Sequence, residues 1–326
     1  MTLRLDATRL RPLAFALVAA LLGAYVAAIY LQVPIGTPGP DIDQTWWMAR
    51  QLLQGHDPYA ADAAQRIFVT RIFYPLTAAV ASLPLALLPV EVARFVFVVG
   101  GAAIFGYAIG KHRPYLWPAF LGMPFLVCMR SAQWAAIMTA AMLLPALGWL
   151  AAVKPNLGVV MLAGARSKRA TLLLVGGGLA LAVASLVIDP RWPFKWREAL
   201  AVSTHFRPLL LRPGGFLMLL ALLRWRDPDA RLLLALAVVP VTGLFYDALP
   251  ACLVARSRMQ AAGLAILTLL SRFAEPYVPP MESFDEQAWV TGIFVLWTAL
   301  VPALVLVLYR GFARPVGGDL RQADQP

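Results

Sequence analysis

Charge is scarce in this chain. Asp, Glu, Lys and Arg make up 14% of its 326 residues, against roughly 25% in an average soluble domain. With 60% hydrophobic residues beside it, that shortage excludes a soluble globular protein. Histidine and cysteine are rarer still, three and two residues. Cys128 and Cys252 lie in apolar surroundings without the spacing of a disulfide framework or a metal site, so they read as buried thiols that carry no redox information. The Gly-x-x-x-x-Gly-Lys-Ser/Thr loop, a nucleophile triad and a His-rich cluster are all missing. Their absence argues against an ATP-driven pump and a metal hydrolase. Period-2 alternation is missing too, which leaves helices as the means of crossing lipid.

What the chain has is uncharged stretches. Those at 12–40, 72–90, 131–153, 170–188 and 287–309 each supply the roughly 20 apolar residues a bilayer core requires. Shorter runs at 95–110, 114–129, 232–246 and 259–271 cross only if tilted, broken or extended by snorkelling ends. The expectation is an all-α polytopic membrane protein of about ten to twelve crossings, with residues 1–326 forming one integral-membrane domain. The first run follows a basic segment as a signal peptide would, but at 12–31 it exceeds the usual 7 to 15 residues and no small-x-small site follows. It reads as a retained helix.

The formal net charge of +11 points to topology and not to nucleic acid. Basic clusters at Arg4, Arg9 and Arg11, at 166–169, at 224–231, at Arg256 and Arg258, and at Arg310 and Arg314 are short loops or tails of the positive-inside kind. Placing all five in the cytoplasm puts both termini inside and makes an even number of crossings, with a C-terminal tail from about 310 to 326. Two segments break the rule. Residues 189–208 carry Arg191, Lys195, Arg197, His205 and Arg207 on the outer side, and Lys111-His112-Arg113 falls outside on this count, so either the count fails there or those charges act outside. Gly176-Gly177-Gly178 lies in an apolar helix and suits close helix packing better than a phosphate loop.

The longest polar segment, about 32–74, is the first external loop. Asp41 and Gln44 have the capping-box spacing ahead of a helix over 42–54, and Gly55 fits the left-handed position that ends it. Ile42, Trp46, Ala49 and Leu53 share one face, and Trp46 and Trp47 suit the membrane interface. A turn at His56-Asp57-Pro58-Tyr59 follows, a second weakly amphipathic stretch runs to about Phe73, and Tyr74-Pro75 opens the next apolar run.

The segment Asp41 to Tyr59, with its aromatics, Leu52-Leu53, Gly55 and Asp57-Pro58-Tyr59, resembles the first-loop signature of glycosyltransferase family 87, a group of GT-C membrane enzymes. Tyr74-Pro75-Leu76 and Leu83-Pro84-Leu85-Ala86 stand where that family has Tyr-Pro-Pro and Pro-Leu-Ala. Ala132-Gln133 stands at its Gly-Gln pair, Lys154-Pro155 at its Lys-Pro motif, and Tyr246-Asp247 at a late Tyr-Asp motif. The likeness spans most of 35–255, with Leu76 in place of the second Pro and Ala132 in place of Gly. It implies a GT-C-like fold with juxtamembrane helices in the first external loop. It also implies inverting transfer of a hexose, often mannose, from a polyprenyl-phosphate carrier to a lipid or glycan hydroxyl at the outer face of the cytoplasmic membrane.

Such a displacement needs a base for the acceptor proton and a cationic or hydrogen-bonding environment for the departing phosphate. Asp41 is the candidate base, with Asp43 as the fallback; Asp41 also reads as a plain N-cap. Lys154, placed by Pro155 at a helix break, is the candidate phosphate partner or else a snorkelling end. Arg191, Lys195, Arg207 and His205, with Arg197 and Arg212, add positive charge for a phosphate or for anionic headgroups. Tyr59, Gln133 and Asp247 are candidates for the acceptor and the sugar: Tyr59, with Trp46 and Trp47, suits stacking on a sugar face, although interface anchoring is the plainer role of the two Trp; Gln133, with Trp134, suits a cavity lining; and Asp247 suits orienting the acceptor or pairing with a cation, or else capping a helix. No cofactor and no obligatory metal is expected, although carboxylates beside a phosphate leave a divalent ion open. The partners implied are the lipid-linked sugar, the acceptor and membrane lipids, with no nucleic acid.

Two other classes fit the crossings, a transporter or lipid flippase and a noncatalytic partner in envelope assembly. Transporters place ionisable groups near the bilayer midplane, often in repeated halves. Here no internal repeat is evident and the acids cluster at the outer ends, which favours surface chemistry.

Overall fold

The computed structural model describes residues 7–35, 40–60, 67–68, 72–201, 206–274 and 283–312. Most of them are helical, and four helices are long and apolar enough to cross a membrane: Leu10–Tyr30, Val90–His112, Lys168–Ile188 and Phe284–Arg310. Leu17, Leu21, Leu172, Leu179 and Val187 are each more than half exposed, the lipid-facing surface expected of such spans. The protein is membrane-embedded and all-helical, with a two-residue antiparallel pair, β1 (Arg207–Pro208) and β2 (Pro240–Val241), as its strand content among the described residues.

Helices α1 (Ala7–Tyr30) and α4 (Val90–His112) pack antiparallel and close. A Cβ on Gly110 would lie 2.9 Å from Pro12, one on Gly106 2.4 Å from the Phe15 carbonyl, and one on Gly23 2.9 Å from Ala102. Small residues let the two backbones approach where lipid offers no hydrophobic drive for association. Between them, α2 (Ile42–Leu53) and α3 (Leu76–Ala86) lie at the end of the pair opposite Arg11. With 11 residues, α3 is about 16 Å long at 1.5 Å per residue, half of the roughly 30 Å core. The run at 72–90 is therefore not a crossing, contrary to the sequence expectation. Pro84 lies inside α3 two residues before its end and Pro89 just ahead of the next helix, and neither can donate an N–H to a continuing helical ladder.

This removes one topological anomaly. Since α3 turns back, α4 returns to the face where α1 began, and Lys111-His112-Arg113 joins the other basic residues. Arg11 Nε donates to the Gly110 carbonyl at 2.9 Å and Arg113 Nη1 to the Leu253 carbonyl at 2.6 Å. Next to them Asp229, fully buried, accepts from Arg166, from Arg256 at 2.7 Å and from Arg310 at 2.9 Å. Three basic segments that are remote in sequence thus meet around a single carboxylate.

One more of the long runs, 131–153, is broken. Residues 131–153 divide into α6 (Ala135–Ala141) and a 3₁₀ stretch, Pro145–Ala152, begun by a proline. They follow a 3₁₀ stretch, Pro114–Leu121, and α5 (Met123–Arg130), and precede α7 (Pro155–Ala163) and α8 (Lys168–Ile188). Gly177 meets the Trp149 backbone, 2.8 Å from where its Cβ would be, so close helix packing holds for the middle glycine of the triplet, whereas a Cβ on Gly176 would meet nothing within 4 Å. After α9 (Trp192–Ala201) come 3₁₀ stretches at Leu209–Leu211 and Gly215–Arg224, α10 (Pro228–Val238), a further 3₁₀ stretch at Phe245–Val254, α11 (Arg258–Ala274), and α12 (Phe284–Val295), which continues through a π turn into α13 (Val301–Phe312). At about 2.0 Å per residue a 3₁₀ stretch outreaches an α-helix of equal length, which suits a chain whose apolar runs are short.

One buried ion pair fixes the first loop to the bundle. Arg94, 0% exposed, donates to Asp43 through Nε at 2.7 Å and Nη2 at 2.5 Å, and through Nη1 to the carbonyls of Leu31 and Val33 at 3.0 and 2.6 Å. It ties the end of α1, the start of α2 and α4 together. Arg94→Leu is expected to destabilise the protein by about 3–5 kcal/mol because it strands a buried carboxylate. Adding Asp43→Leu should restore much of the loss, as thermal unfolding in detergent would show.

Candidate active site

The chain enters α2 through Asp41, but not as a cap. Asp41 has φ −65° and ψ −24°, already helical, and its side chain bonds no α2 amide. The amides of Asp43 and Gln44 find the carbonyls of Pro40 and Asp41 at 3.1 and 3.2 Å, and Gln44 Oε1 accepts from the Phe73 amide at 3.3 Å. The expected capping box does not form. At the other end the expectation holds. Gly55, at φ +74°, donates to the Leu52 carbonyl at 3.1 Å and His56 to that of Gln51 at 2.9 Å, the paired bonds of a Schellman ending. The buried face of α2 contains Ile42, Thr45, Met48 and Ala49, whereas Leu53 is exposed and Trp46 half-buried. Trp47 is buried against Phe68 and so is not an interfacial anchor.

The Asp41 carboxylate turns instead toward the bundle. Its Oδ2 accepts from the Tyr74 hydroxyl at 3.1 Å and from Gln133 Nε2. Among the described residues no donor bonds Oδ1. The Asp41 amide donates to the Ser131 carbonyl at 2.9 Å, so the start of α2 is held against the turn after α5. In that turn Ala132 adopts φ +44°, the left-handed region that suits glycine, at the place where the resembled family has Gly. Strain of about 1–2 kcal/mol attends an L-residue there, offset in a glycine variant by its larger loss of chain entropy. Melting temperatures should rank Ala132→Gly at or above wild type and Ala132→Val clearly below.

Gln133 links Asp41 to a cation. Lys154 Nζ donates to Gln133 Oε1 at 3.3 Å and to Asp247 Oδ1 at 2.8 Å, and it lies 4.6 Å from the centre of the Tyr246 ring. Asp247 Oδ2 accepts from Thr242 Oγ1 at 2.8 Å, and the hydroxyls of Thr242 and Tyr246 are 3.0 Å apart. Lys154 is the residue before α7, with Pro155 at the first helical position. Proline therefore opens a helix there, where its missing N–H costs nothing, and does not end one. Asp247 is the third residue of the Phe245–Val254 stretch and caps nothing. Gln133, Lys154, Thr242, Tyr246 and Asp247 are all buried. Burial is the largest influence on the Asp41 carboxyl and pushes its pKa above the ordinary carboxylate value; Lys154 and the bonds from Gln133 and Tyr74 pull the other way.

Four of the residues singled out from sequence, Asp41, Gln133, Lys154 and Asp247, thus form one cluster. The others lie apart from it. Asp43 is committed to Arg94, so the fallback base points elsewhere. Tyr59 donates to the Tyr74 carbonyl at 3.0 Å and touches the cluster only through that residue. Lys195 pairs with Asp57 and Asp189, 2.7 Å to each, which puts the outer basic segment against the first loop but occupies the cation that was expected to bind phosphate. Arg191 is exposed, and Arg207, also exposed, lies 5.9 Å from the Trp289 ring. His205 falls outside the described residues. Tyr74 and Thr242 were not foreseen as site residues. Tyr74 had a signal in the Tyr-Pro motif, Thr242 none.

Among the described residues no three His, Cys, Asp or Glu side chains gather as a metal-ligand set. An apolar cavity bounded by Gly122, Leu249, Leu264, Thr268 and Ala299 contains none of the cluster's charged side chains. No family model, curated protein or solved structure matches the chain. The cluster is therefore read on its own chemistry.

Proposed function

We propose that the protein transfers a hexose, in the first instance mannose, from a polyprenyl-phosphate carrier to a hydroxyl of a lipid or glycan at the outer face of the cytoplasmic membrane, with inversion at the anomeric carbon. The observation that supports this is the placing of Asp41: a carboxylate outside the four long spans, not used as a helix cap, with one oxygen held by Tyr74 and Gln133 and the other without a donor among the described residues. In this reading the acceptor oxygen bonds to the anomeric carbon as the bond to the carrier phosphate breaks. The acceptor proton passes to Asp41 Oδ1, and the polyprenyl phosphate leaves. Tyr74 and Gln133 fix the carboxylate's orientation, and Lys154 with Asp247 fixes Gln133. A raised pKa suits a group that must gain a proton during the reaction. Lys154, already neutralised by Asp247, acts as a positioning residue rather than as the phosphate's own counter-ion.

A transporter or lipid flippase is the second reading, favoured by the buried Lys154–Asp247 pair at breaks between short helices, where transporters bind their cargo. Incubating purified protein with radiolabelled polyprenyl-phosphate hexoses and a membrane lipid extract distinguishes the two. Transfer of label to a new lipid or glycan supports the enzyme. Movement of intact carrier across proteoliposomes, with the sugar still attached, overturns it.

A further inference from the structure

The Asp41 cluster leaves one strongly charged group unexplained. Arg212 is 3% exposed, yet neither its Nε nor its Nη1 has a hydrogen-bond partner. Nη2 alone is used, donating to the Ala288 carbonyl at 3.3 Å. The guanidinium lies over the Trp289 ring, 4.0 Å from its centre, and no carboxylate pairs with it among the described residues. The chain makes room for it on two sides. A Cβ on Gly292 would lie 2.8 Å from Nε, and one on Gly243, at φ +78°, would lie 3.3 Å from Nη2. The second cation near Trp289, Arg207, adds repulsion to the burial that already disfavours the charge.

A buried guanidinium with no anion is an expensive arrangement in a folded protein. Its fork edges are Nε with Nη2 and Nη1 with Nη2, and because Nη2 spends one of its two N–H groups on Ala288 while Nε and Nη1 are unused, one edge stays whole for two oxygens of one oxyanion. Pairing of β1 with β2 sets Arg207 opposite Val241, the Arg212 guanidinium lies beside Gly243, and Thr242, between Val241 and Gly243, bonds Asp247. We propose that Arg212 is the centre of a buried site for a phosphate oxyanion, held through the free edge of its guanidinium, beside the chain segment that brings Thr242 to the Asp41 cluster. Two sources carry this group into a membrane protein, a polyprenyl phosphate and a glycerophospholipid headgroup. The site does not depend on Asp41 acting as a base, and its test requires no turnover.

The test uses the full chain in detergent, with thermal unfolding followed as undecaprenyl phosphate, phosphatidylglycerol or the uncharged polyprenol is added. Wild type should be stabilised by the phosphate-bearing lipids and not by the polyprenol. Arg212→Met should reduce affinity at least tenfold while leaving the lipid-free protein as stable as wild type or more so, because an unpaired buried charge has been removed. Gly292→Ala keeps the arginine but crowds Nε, and should weaken binding in the same way. A response to undecaprenyl phosphate alone identifies the carrier as ligand, and an equal response to phosphatidylglycerol identifies a headgroup site. Two results overturn the proposal: phosphate-dependent stabilisation that persists in both variants, or an Arg212→Met protein that unfolds well below wild type without lipid, which is the mark of a purely structural arginine.

Discussion

Asp41→Asn is expected to lower sugar transfer by about 10²- to 10⁴-fold, the usual contribution of a general base, with expression and melting temperature close to wild type. The amide keeps the size of the carboxylate and can still accept from Tyr74, so the fold should tolerate it. The pH profile gives an independent check. Because burial raises the Asp41 pKa, the residue is protonated, and unable to act as a base, at a pH where an ordinary carboxyl of pKa about 3.9 has already ionised. Activity should thus fall on the acid side at a pH above that of a surface aspartate, and any residual activity of the asparagine variant should lack that limb. The effect on stability has a definite sign. A carboxyl whose folded pKa exceeds its unfolded value favours the folded state below the unfolded pKa, and that contribution is lost as pH rises through the folded pKa. Asp41→Asn should flatten this part of the stability curve. Transfer at the wild-type rate by the variant would end the proposed mechanism, since Asp43 is committed to Arg94 and cannot substitute.

Lys154→Met is expected to damage the fold more than the chemistry. Its partner Asp247 is 2% exposed, and removing one member of a buried ion pair costs about 3–5 kcal/mol, because the other is left as an uncompensated charge. Asp247→Leu should cost a similar amount, and the double variant Lys154→Met/Asp247→Leu should be far more stable than either single variant. The double variant is also the informative one for activity. Gln133 would lose its bond from Lys154 but keep the one to Asp41, so a positioning role predicts a reduced rate with the acid limb of the pH profile intact. Complete loss of transfer in a well-folded double variant would instead assign Lys154 a direct part in the reaction.

The two aspartates of the first loop show how far the sequence could be read. Asp41 and Asp43 are two residues apart, about 200° around a helix, so it was clear that they face different ways. Which one meets a cation clamp and which meets an amide was not clear, because the partners come from α4 and from the turn after α5. Arg94 gave no clear signal: it stands between the runs at 72–90 and 95–110, three residues after Glu91, and nothing in the order of residues names Asp43 as its partner. Lys195 misled for the complementary reason. A basic residue on the outer side looks available until Asp57, far away in sequence, is found 2.7 Å from it. The error over residues 72–90 has a similar root. Hydropathy sums over a window and registers neither the two prolines nor the packing of α3 beside α2.

Embedding in the membrane, helical secondary structure and the gathering of arginines on one face were fixed by composition and order alone. Transfer to lipid and attraction to one side of a bilayer are sums over single residues and need no knowledge of neighbours. Which apolar runs cross, which carboxylate stays available and which cation is left without an anion were decided only when the chain closed on itself. Those outcomes depend on separations of a few ångströms between segments as much as 145 residues apart, where Coulomb energy and hydrogen-bond geometry change steeply with distance.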